Sequence, residues 1–205
     1  MPQAMFEKSA RFRIYTGAMK TDVEKHRRRL IRLREYDYKQ AGAYFITVVA
    51  HGRAVLFGEI AGGETRLNEF GQIVERAWAD LPEHYLNVQC DAFVVMPNHI
   101  HGIIMLGEPI VEAGLKPAPT RRHELPEIVR ALKTFSARRI NEMRHTPGAS
   151  VWQRNYYEHI IRGDRELLRV REYILNNPLD WENDRENPSQ PVDFKPTGAT
   201  ETWQM

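Results

Sequence analysis

The chain places two histidines, His99 and His101, within an apolar and β-branched run at 92–106. Alternate residues of a β-strand project from the same face, so two imidazoles at this spacing should lie side by side. Two neutral imidazoles can then bind one divalent metal ion. The alternative is a structural pair, in which each ring donates a hydrogen bond to a main-chain carbonyl of a packed core. The pair is therefore a candidate metal centre with an incomplete ligand set.

A second candidate group lies in the sequence "YILNNP", which begins at Tyr173. Tyr173 and Asn177 are four residues apart and would share one face of a predicted helix. A tyrosine beside a metal ion can attack phosphorus, because the cation neutralises charge on the scissile phosphate. Asn177 could supply a neutral oxygen as a third ligand. The alternative is that these residues form an ordinary helix C-terminus before Pro178.

Several familiar metal sites do not fit the pattern around the histidine pair. A histidine-triad hydrolase needs a third alternate histidine where Ile103 stands. A structural zinc site needs four ligands, and the other histidines have no spacing that would complete one. The single cysteine, Cys90, excludes an intramolecular disulfide and a cysteine-built metal site.

The elements that must position these residues alternate along the chain. The patterns predict helices within 67–85, 125–144 and 164–177, with Asn68 and Asp164 as N-caps, and strands at 43–50, 88–96, 99–106 and 151–162. The order β-α-β-β-α-β-α favours an α+β, ferredoxin-like sandwich. We expect an antiparallel sheet of about four strands, with helices on one face and an additional C-terminal helix that carries Tyr173.

The bulk composition is that of an ordinary globular protein, with 205 residues, 42% hydrophobic and 27% charged. No apolar run approaches the roughly 20 residues of a membrane span, and no signal-peptide pattern follows the N-terminus, so we expect a cytoplasmic protein. We divide the chain into an N-terminal extension at 1–26, one domain at 27–181 and a Pro-rich, acidic tail at 182–205.

The net charge of +2 is unevenly distributed. Residues 1–40 carry eleven basic and five acidic side chains, residues 116–145 carry eight and three, and residues 179–205 carry two and six. Such an arrangement suggests a polyanionic partner, commonly nucleic acid. A solvated charged surface is the alternative.

Three segments together, "MPNHIHGII", "WQRNYYEHIIR" and "REYILNNPLDW", resemble the single-tyrosine transposases of the HUH endonuclease superfamily. The chain is most similar to the REP-associated tyrosine transposases, over residues 27–181. The resemblance implies metal-dependent cleavage of single-stranded DNA, with Mg²⁺ or Mn²⁺, through a covalent 5′-phosphotyrosine that leaves a free 3′-hydroxyl. It implies that His99 and His101 bind the metal, that Tyr173 is the nucleophile and that Asn177 stands at the position that often completes the coordination.

The resemblance to this family makes single-stranded DNA that forms a hairpin the expected partner. The basic residues that could contact its phosphates are Arg27, Arg28, Arg29, Arg130, Lys133, Arg138, Arg139, Arg154 and Arg162. Trp152, Tyr156 and Tyr157 could stack on unpaired bases, but at least one of Tyr156 and Tyr157 should have a core or sheet-face role, since alternate residues face opposite ways. Two other interpretations stay open, namely a domesticated nucleic-acid-binding protein without cleavage activity and a metal-dependent phosphoesterase. Both a monomer and a homodimer are compatible with the sequence.

Overall fold

The structure, a computed structural model, describes residues 41–108 and 122–190. The predictions for the extension at 1–26 and for Arg27, Arg28 and Arg29 lie outside the described residues. The same is true of most of the Pro-rich insert at 107–126 and of residues 191–205 in the predicted tail.

Six strands and four α-helices form the described part of the chain. The strands are β1 (Gly42–Val49), β2 (Gly58–Ala61), β3 (Glu64–Leu67), β4 (Val88–Val95), β5 (His99–Leu106) and β6 (Tyr157–Ile161). The helices are α1 (Glu69–Ala79), α2 (Leu81–His84), α3 (Leu125–Met143) and α4 (Asp164–Asn176), and short 3-10 turns lie at His51–Arg53 and Trp181–Asn183. Among these described helices, none has the length and apolar composition that crossing a membrane would require.

The main sheet has four antiparallel strands in the order β4-β5-β1-β6, and β2 and β3 form a separate hairpin. This confirms the predicted α+β fold with a four-stranded antiparallel sheet. Asn68 caps α1 as predicted, because its Oδ1 accepts hydrogen bonds from the main-chain nitrogens of Phe70 and Gly71, each at 3.0 Å. The predicted N-cap of α4, Asp164, is instead its first helical residue and follows Gly163.

The strand predicted at 151–162 is shorter in the structure, where β6 begins only at Tyr157. Trp152 still pairs with Ala50 in an isolated antiparallel bridge, and the continuous strand pairing is interrupted between Trp152 and Tyr157. The ring of Trp152 lies 4.8 Å from that of Phe57, and its indole Nε1 donates to Ser136 Oγ at 3.0 Å. The residues before β6 thus join α3 to the sheet.

The two faces of the main sheet carry different helices. We call the side covered by α1 and α3 the α1–α3 face, and the side covered by α4 the α4 face. Because side chains alternate along a strand, β1 sends Tyr44 and Ile46 to the α1–α3 face and Phe45 to the α4 face. Gly102 of β5 lies under the ring of Trp78, where an added Cβ would come within 2.4 Å of ring carbon. A glycine is therefore needed beside the histidine pair for α1 to pack.

Candidate active site

The histidine pair lies at the start of β5 on the α4 face, next to β1. His99 is fully buried and His101 is 3% exposed. The Nε2 atoms of the two rings face each other at 3.0 Å. His101 stacks on Phe45, with ring centroids 5.3 Å apart. The predicted side-by-side arrangement of the two imidazoles is therefore present.

The side chain of Asn98 fixes the tautomer of His99. Its Nδ2 donates to the main-chain oxygens of Glu186, at 2.6 Å, and Arg53, at 3.2 Å. Its Oδ1 must then be the atom that lies 2.8 Å from His99 Nδ1. Because that oxygen can only accept, His99 Nδ1 carries the hydrogen and Nε2 presents a lone pair to His101. On the other ring, His101 Nδ1 is 2.8 Å from the hydroxyl of Thr47.

Both imidazoles are held in the neutral form. Burial, with a smaller contribution from the Arg53 guanidinium, lowers the pKa of His99 to about 3. Burial and the neighbouring His99 hold the pKa of His101 well below its usual range, although Asp184 acts in the opposite direction. Neutral imidazole is the form of histidine that binds metal ions, so the environment suits a metal ligand at both positions.

A carboxylate completes this cluster. Asp184 is buried, and its Oδ2 lies 3.8 Å from His99 Nε2. The candidate ligand atoms of His99, His101 and Asp184 all lie within 4.8 Å of one another. Two imidazole nitrogens and a carboxylate oxygen thus come together in a buried space, where a cation would compensate the buried negative charge of the carboxylate. This donor set fits a divalent metal ion, since carboxylate oxygen suits Mg²⁺ and Mn²⁺ and imidazole suits transition metals.

Tyr173 projects from α4 toward the same cluster. Its Oη lies 3.2 Å from His101 Nε2, and its ring meets Phe45 edge to face with centroids 5.9 Å apart. Burial raises the pKa of Tyr173 above its ordinary value, and the carboxylates of Asp184 and Glu186 add to this. The Tyr173 phenol is therefore protonated at neutral pH. A candidate nucleophile thus lies within hydrogen-bond distance of a candidate metal ligand.

Asn177, the predicted third ligand, lies at the C-terminal end of α4 and is buried. Its Nδ2 donates to Asp184 Oδ2 at 3.1 Å. Its Oδ1 is buried and accepts no hydrogen bond from the described residues. The structure therefore brings Asn177 to the cluster and gives it a contact that orients Asp184, while its role as a ligand stays a prediction.

Two known proteins are similar in sequence to this chain, although no family model matches it. The chain is 41% identical over 172 residues to an uncharacterized protein of Haemophilus influenzae, covering 78% of this chain and 93% of that protein. It is 25% identical over 143 residues to a second Haemophilus influenzae protein, named "Putative REP-associated tyrosine transposase", covering 70% of this chain and 73% of that protein.

Among solved structures, the chain resembles the REP-associated tyrosine transposase bound to a REP hairpin. The TM-score is 0.50 with 20% sequence identity, and the alignment covers 80% of this chain and 90% of that chain. The chain is thus similar to REP-associated tyrosine transposases in sequence and in fold. The likeness to the solved structure shows a shared fold.

Asp184 is the residue of this cluster that the sequence analysis missed, because the predicted tail begins at residue 182. The structure instead buries Asp184, Glu186 and Asn187 against the domain. A signal was present in "NDREN", since Asp and Asn favour turns in which the side chain accepts from a nearby main-chain nitrogen. Glu186 N donates to Asp184 Oδ1 at 2.5 Å, and Ser189 N donates to Asn187 Oδ1 at 2.9 Å.

The described basic residues that were predicted to bind DNA do not form one surface. Arg130, Lys133 and Arg154 line a cleft of about 1040 Å³ between α3 and residues 149–156. Lys133 has a structural role, because its Nζ donates to the main-chain oxygens of Gln153 and Arg154 at 2.7 and 2.9 Å.

The other predicted DNA contacts are dispersed. Arg138 and Arg139 are exposed on α3, and Arg138 lies 3.8 Å from Glu142. Arg162 follows the end of β6 that pairs with Ala43, away from the end that pairs with Thr47 beside the histidines. Of the aromatic residues, Trp152 is buried in the core, and Tyr156 and Tyr157 pack toward opposite faces of the sheet.

Proposed function

We propose that this chain is a metal-dependent single-stranded DNA endonuclease and strand transferase that acts through a covalent 5′-phosphotyrosine. One observation carries the proposal: Tyr173 Oη lies 3.2 Å from Nε2 of His101, within the cluster that His101 forms with His99 and Asp184. A transposase of this kind needs a nucleophile and a divalent ion at the same phosphate, and this is the arrangement that would supply both.

In the proposed reaction, Tyr173 Oη attacks the scissile phosphorus and loses its proton. The bond between phosphorus and the 3′-oxygen breaks, and that oxygen leaves with a proton as a free 3′-hydroxyl. The tyrosyl ester retains the energy of the original phosphodiester, so the reverse step can join the 5′-phosphate to another 3′-hydroxyl. A covalent intermediate that retains this bond energy suits strand transfer better than hydrolysis.

The remaining residues of the cluster would serve the metal. His99, His101 and Asp184 would hold it, and Asn177 would orient Asp184 or add its Oδ1 as a further oxygen. A bound divalent ion would neutralise charge on the scissile phosphate and on the attacking oxygen. We propose Mg²⁺ or Mn²⁺, with Mn²⁺ at least as effective because imidazole suits it better than the harder Mg²⁺.

We further propose that the substrate is single-stranded DNA with a short hairpin, cut in its unpaired flank. The similar solved structure holds a REP hairpin, which supports this extension. A tyrosine on a helix must approach phosphorus in line with the leaving oxygen, and an unpaired backbone can adopt that geometry more easily. The basic side chains, including Arg130 and Arg154, would contact the paired stem.

A denaturing gel tests the proposed function. The probe is an oligonucleotide that carries a palindromic repeat from DNA flanking the gene, with unpaired flanks and a label at its 3′ end. In Mn²⁺ we expect the label to move with the protein as a covalent adduct, and excess chelator should abolish this. Cleavage without an adduct would indicate a phosphoesterase, and retardation in a native gel alone would indicate a binding protein.

A further inference from the structure

Arg53 is a cation close to the candidate metal centre, and its position needs an explanation. It follows β1 in the short turn His51–Arg53, on the side where residues 184–187 approach the histidines. A positive charge there repels a bound metal ion, so its charge alone would weaken the centre. The hydrogen bonds of the Arg53 side chain indicate a different role.

The guanidinium group of Arg53 binds the main chain of a single turn, Asp184 to Asn187, which we call the 184–187 turn. Its Nε donates to Glu186 O at 3.2 Å and its Nη2 donates to Asn187 O at 3.0 Å, with a further bond from Nη2 to Arg185 O. The carboxylate of Glu186 also lies 3.7 Å from Nε. One side chain therefore fixes three consecutive carbonyl groups.

The 184–187 turn transmits this position to Asp184. Asp184 Oδ1 accepts the main-chain N–H of Glu186 at 2.5 Å, so one carboxylate oxygen is tied to the turn. The other oxygen, Oδ2, lies 3.8 Å from His99 Nε2. A second donor, Asn98 Nδ2, also binds Glu186 O, at 2.6 Å. The location of the carboxylate thus depends on where Arg53 and Asn98 hold the Glu186 carbonyl, together with the hydrogen bond from Asn177 Nδ2 to Oδ2.

The backbone at Arg53 supports a constrained role. Its φ is 56°, in the left-handed region that non-glycine residues seldom adopt, and the preceding Gly52 has φ 64°. Arg53 O accepts the same Asn98 amide that binds the turn, at 3.2 Å. Such conformations persist where the surrounding contacts determine them strongly.

We propose that Arg53 is a positioning residue that fixes the 184–187 turn and so keeps Asp184 beside His99 and His101 as the third metal ligand. This inference rests on the metal centre of the proposed function. Removing the Arg53 side chain should release the turn, leave the two histidines in place and weaken metal binding without removing any ligand.

The test is the affinity of the full chain for Mn²⁺, measured by calorimetry without DNA. We expect Arg53→Ala to weaken binding by about tenfold, the lower end of the range for residues that orient metal ligands. Arg53→Lys should recover part of the affinity, because an ammonium group can still donate to one or two of the carbonyls. Arg144→Ala is the matched control, since Arg144 is a half-buried cation at the end of α3 that donates to Asn141 Oδ1 at 2.9 Å.

The direction of the change separates positioning from charge. If Arg53 acted through its charge alone, Arg53→Ala would bind Mn²⁺ more tightly, because a repelling cation is removed. A double-mutant cycle adds a second criterion: in an Asp184→Ala background, Arg53→Ala should cause no further decrease in affinity. Tighter binding or additive decreases would overturn the proposal, provided that thermal melts show each variant folded.

Failure of the metal centre gives a different result. A wild-type chain that binds no Mn²⁺ would reject the metal part of the proposed function, and with it the role of Arg53. A wild-type chain that binds Mn²⁺ and an Arg53→Ala variant that binds it equally well would reject only the role of Arg53.

Discussion

The two faces of the sheet differ in what they bury. In the described part of the chain, the hydrophobic cluster of the α1–α3 face contains twenty-two buried residues, whereas that of the α4 face contains five. The α4 face instead buries polar groups, among them His99, His101 and Asp184. Apolar burial stabilises the fold, whereas burying polar groups costs free energy unless they are paired. The α1–α3 face therefore supplies the stability that the polar cluster on the α4 face requires.

A single strand contributes to both faces. β5 sends Ile100 and Ile104 to the α1–α3 face and His99 and His101 to the α4 face. The two-residue period of the strand separates stability from chemistry at adjacent positions. Substitutions on the α4 face should therefore lower activity with little effect on folding. Substitutions on the α1–α3 face should lower the stability of the fold with little effect on activity.

The largest expected effect is a loss of DNA cleavage on substitution of a residue on the α4 face. His101→Ala should lower the rate of DNA cleavage by at least about a hundredfold, because it removes both a proposed metal ligand and the hydrogen-bond partner of Tyr173. Ile100→Val, on the same strand but the opposite face, is the matched control and should leave the rate within about twofold. Initial rates in Mn²⁺ measure both. Full activity in His101→Ala would mean that the histidine pair is structural.

A large effect on stability is expected from the α1–α3 face. Ile104→Ala should lower the free energy of unfolding by about 2–5 kcal/mol, because the side chain is fully buried and its removal leaves a cavity. The affinity of the folded chain for Mn²⁺ should not change. Urea unfolding and calorimetry test the two statements. A folded Ile104→Ala variant with weakened metal binding would show that the faces are not independent.

A moderate effect is expected on the salt dependence of DNA binding. Replacing Arg130 and Arg154 together by alanine should weaken binding and reduce the salt slope by about 0.7–0.9 for each phosphate that the protein no longer neutralises. Replacing Arg27, Arg28 and Arg29 together by alanine should likewise weaken DNA binding and reduce its salt slope. Single-turnover cleavage at saturating protein should be nearly unchanged. If affinity and slope stay the same, these arginines are only a solvated surface.

The smallest effect concerns the ion pair that joins α4 to β4. Arg171 Nε and Nη2 donate to Asp91 at 2.9 and 2.5 Å, and the hydrogen bond from Arg171 is the main cause that lowers the pKa of Asp91. A carboxyl whose folded pKa is lowered stabilises the fold above its unfolded pKa, and this stabilisation disappears as the pH falls through the folded value. Arg171→Ala should therefore lower the Tm slightly at neutral pH and not at about pH 2. An equal difference at both pH values would assign the effect to packing.

What could be predicted from the sequence depends on local periodicity. Strand alternation was enough to place His99 beside His101, and helix periodicity was enough to place Tyr173 and Asn177 on one side of α4. Both follow from geometry within a few residues. Asp184 could not be found in this way, because its burial depends on hydrogen bonds from Arg53 and Asn98 to the turn, over 132 and 88 residues of sequence. Trp152 shows the same limit, since its contacts with Phe57 and Ser136 join segments that are far apart in the sequence.

The most direct measurement of the central claim is the identity of the tyrosine in the DNA adduct. Tyr157 is the matched control for Tyr173, because it also packs on Phe45 at the α4 face, with ring centroids 6.2 Å apart. With the 3′-labelled hairpin in Mn²⁺, the wild-type chain and Tyr157→Phe should form the adduct, and Tyr173→Phe should form none while it still binds DNA and Mn²⁺. An adduct in Tyr173→Phe, or its absence in Tyr157→Phe with the fold intact, would contradict the assignment of Tyr173 as the nucleophile.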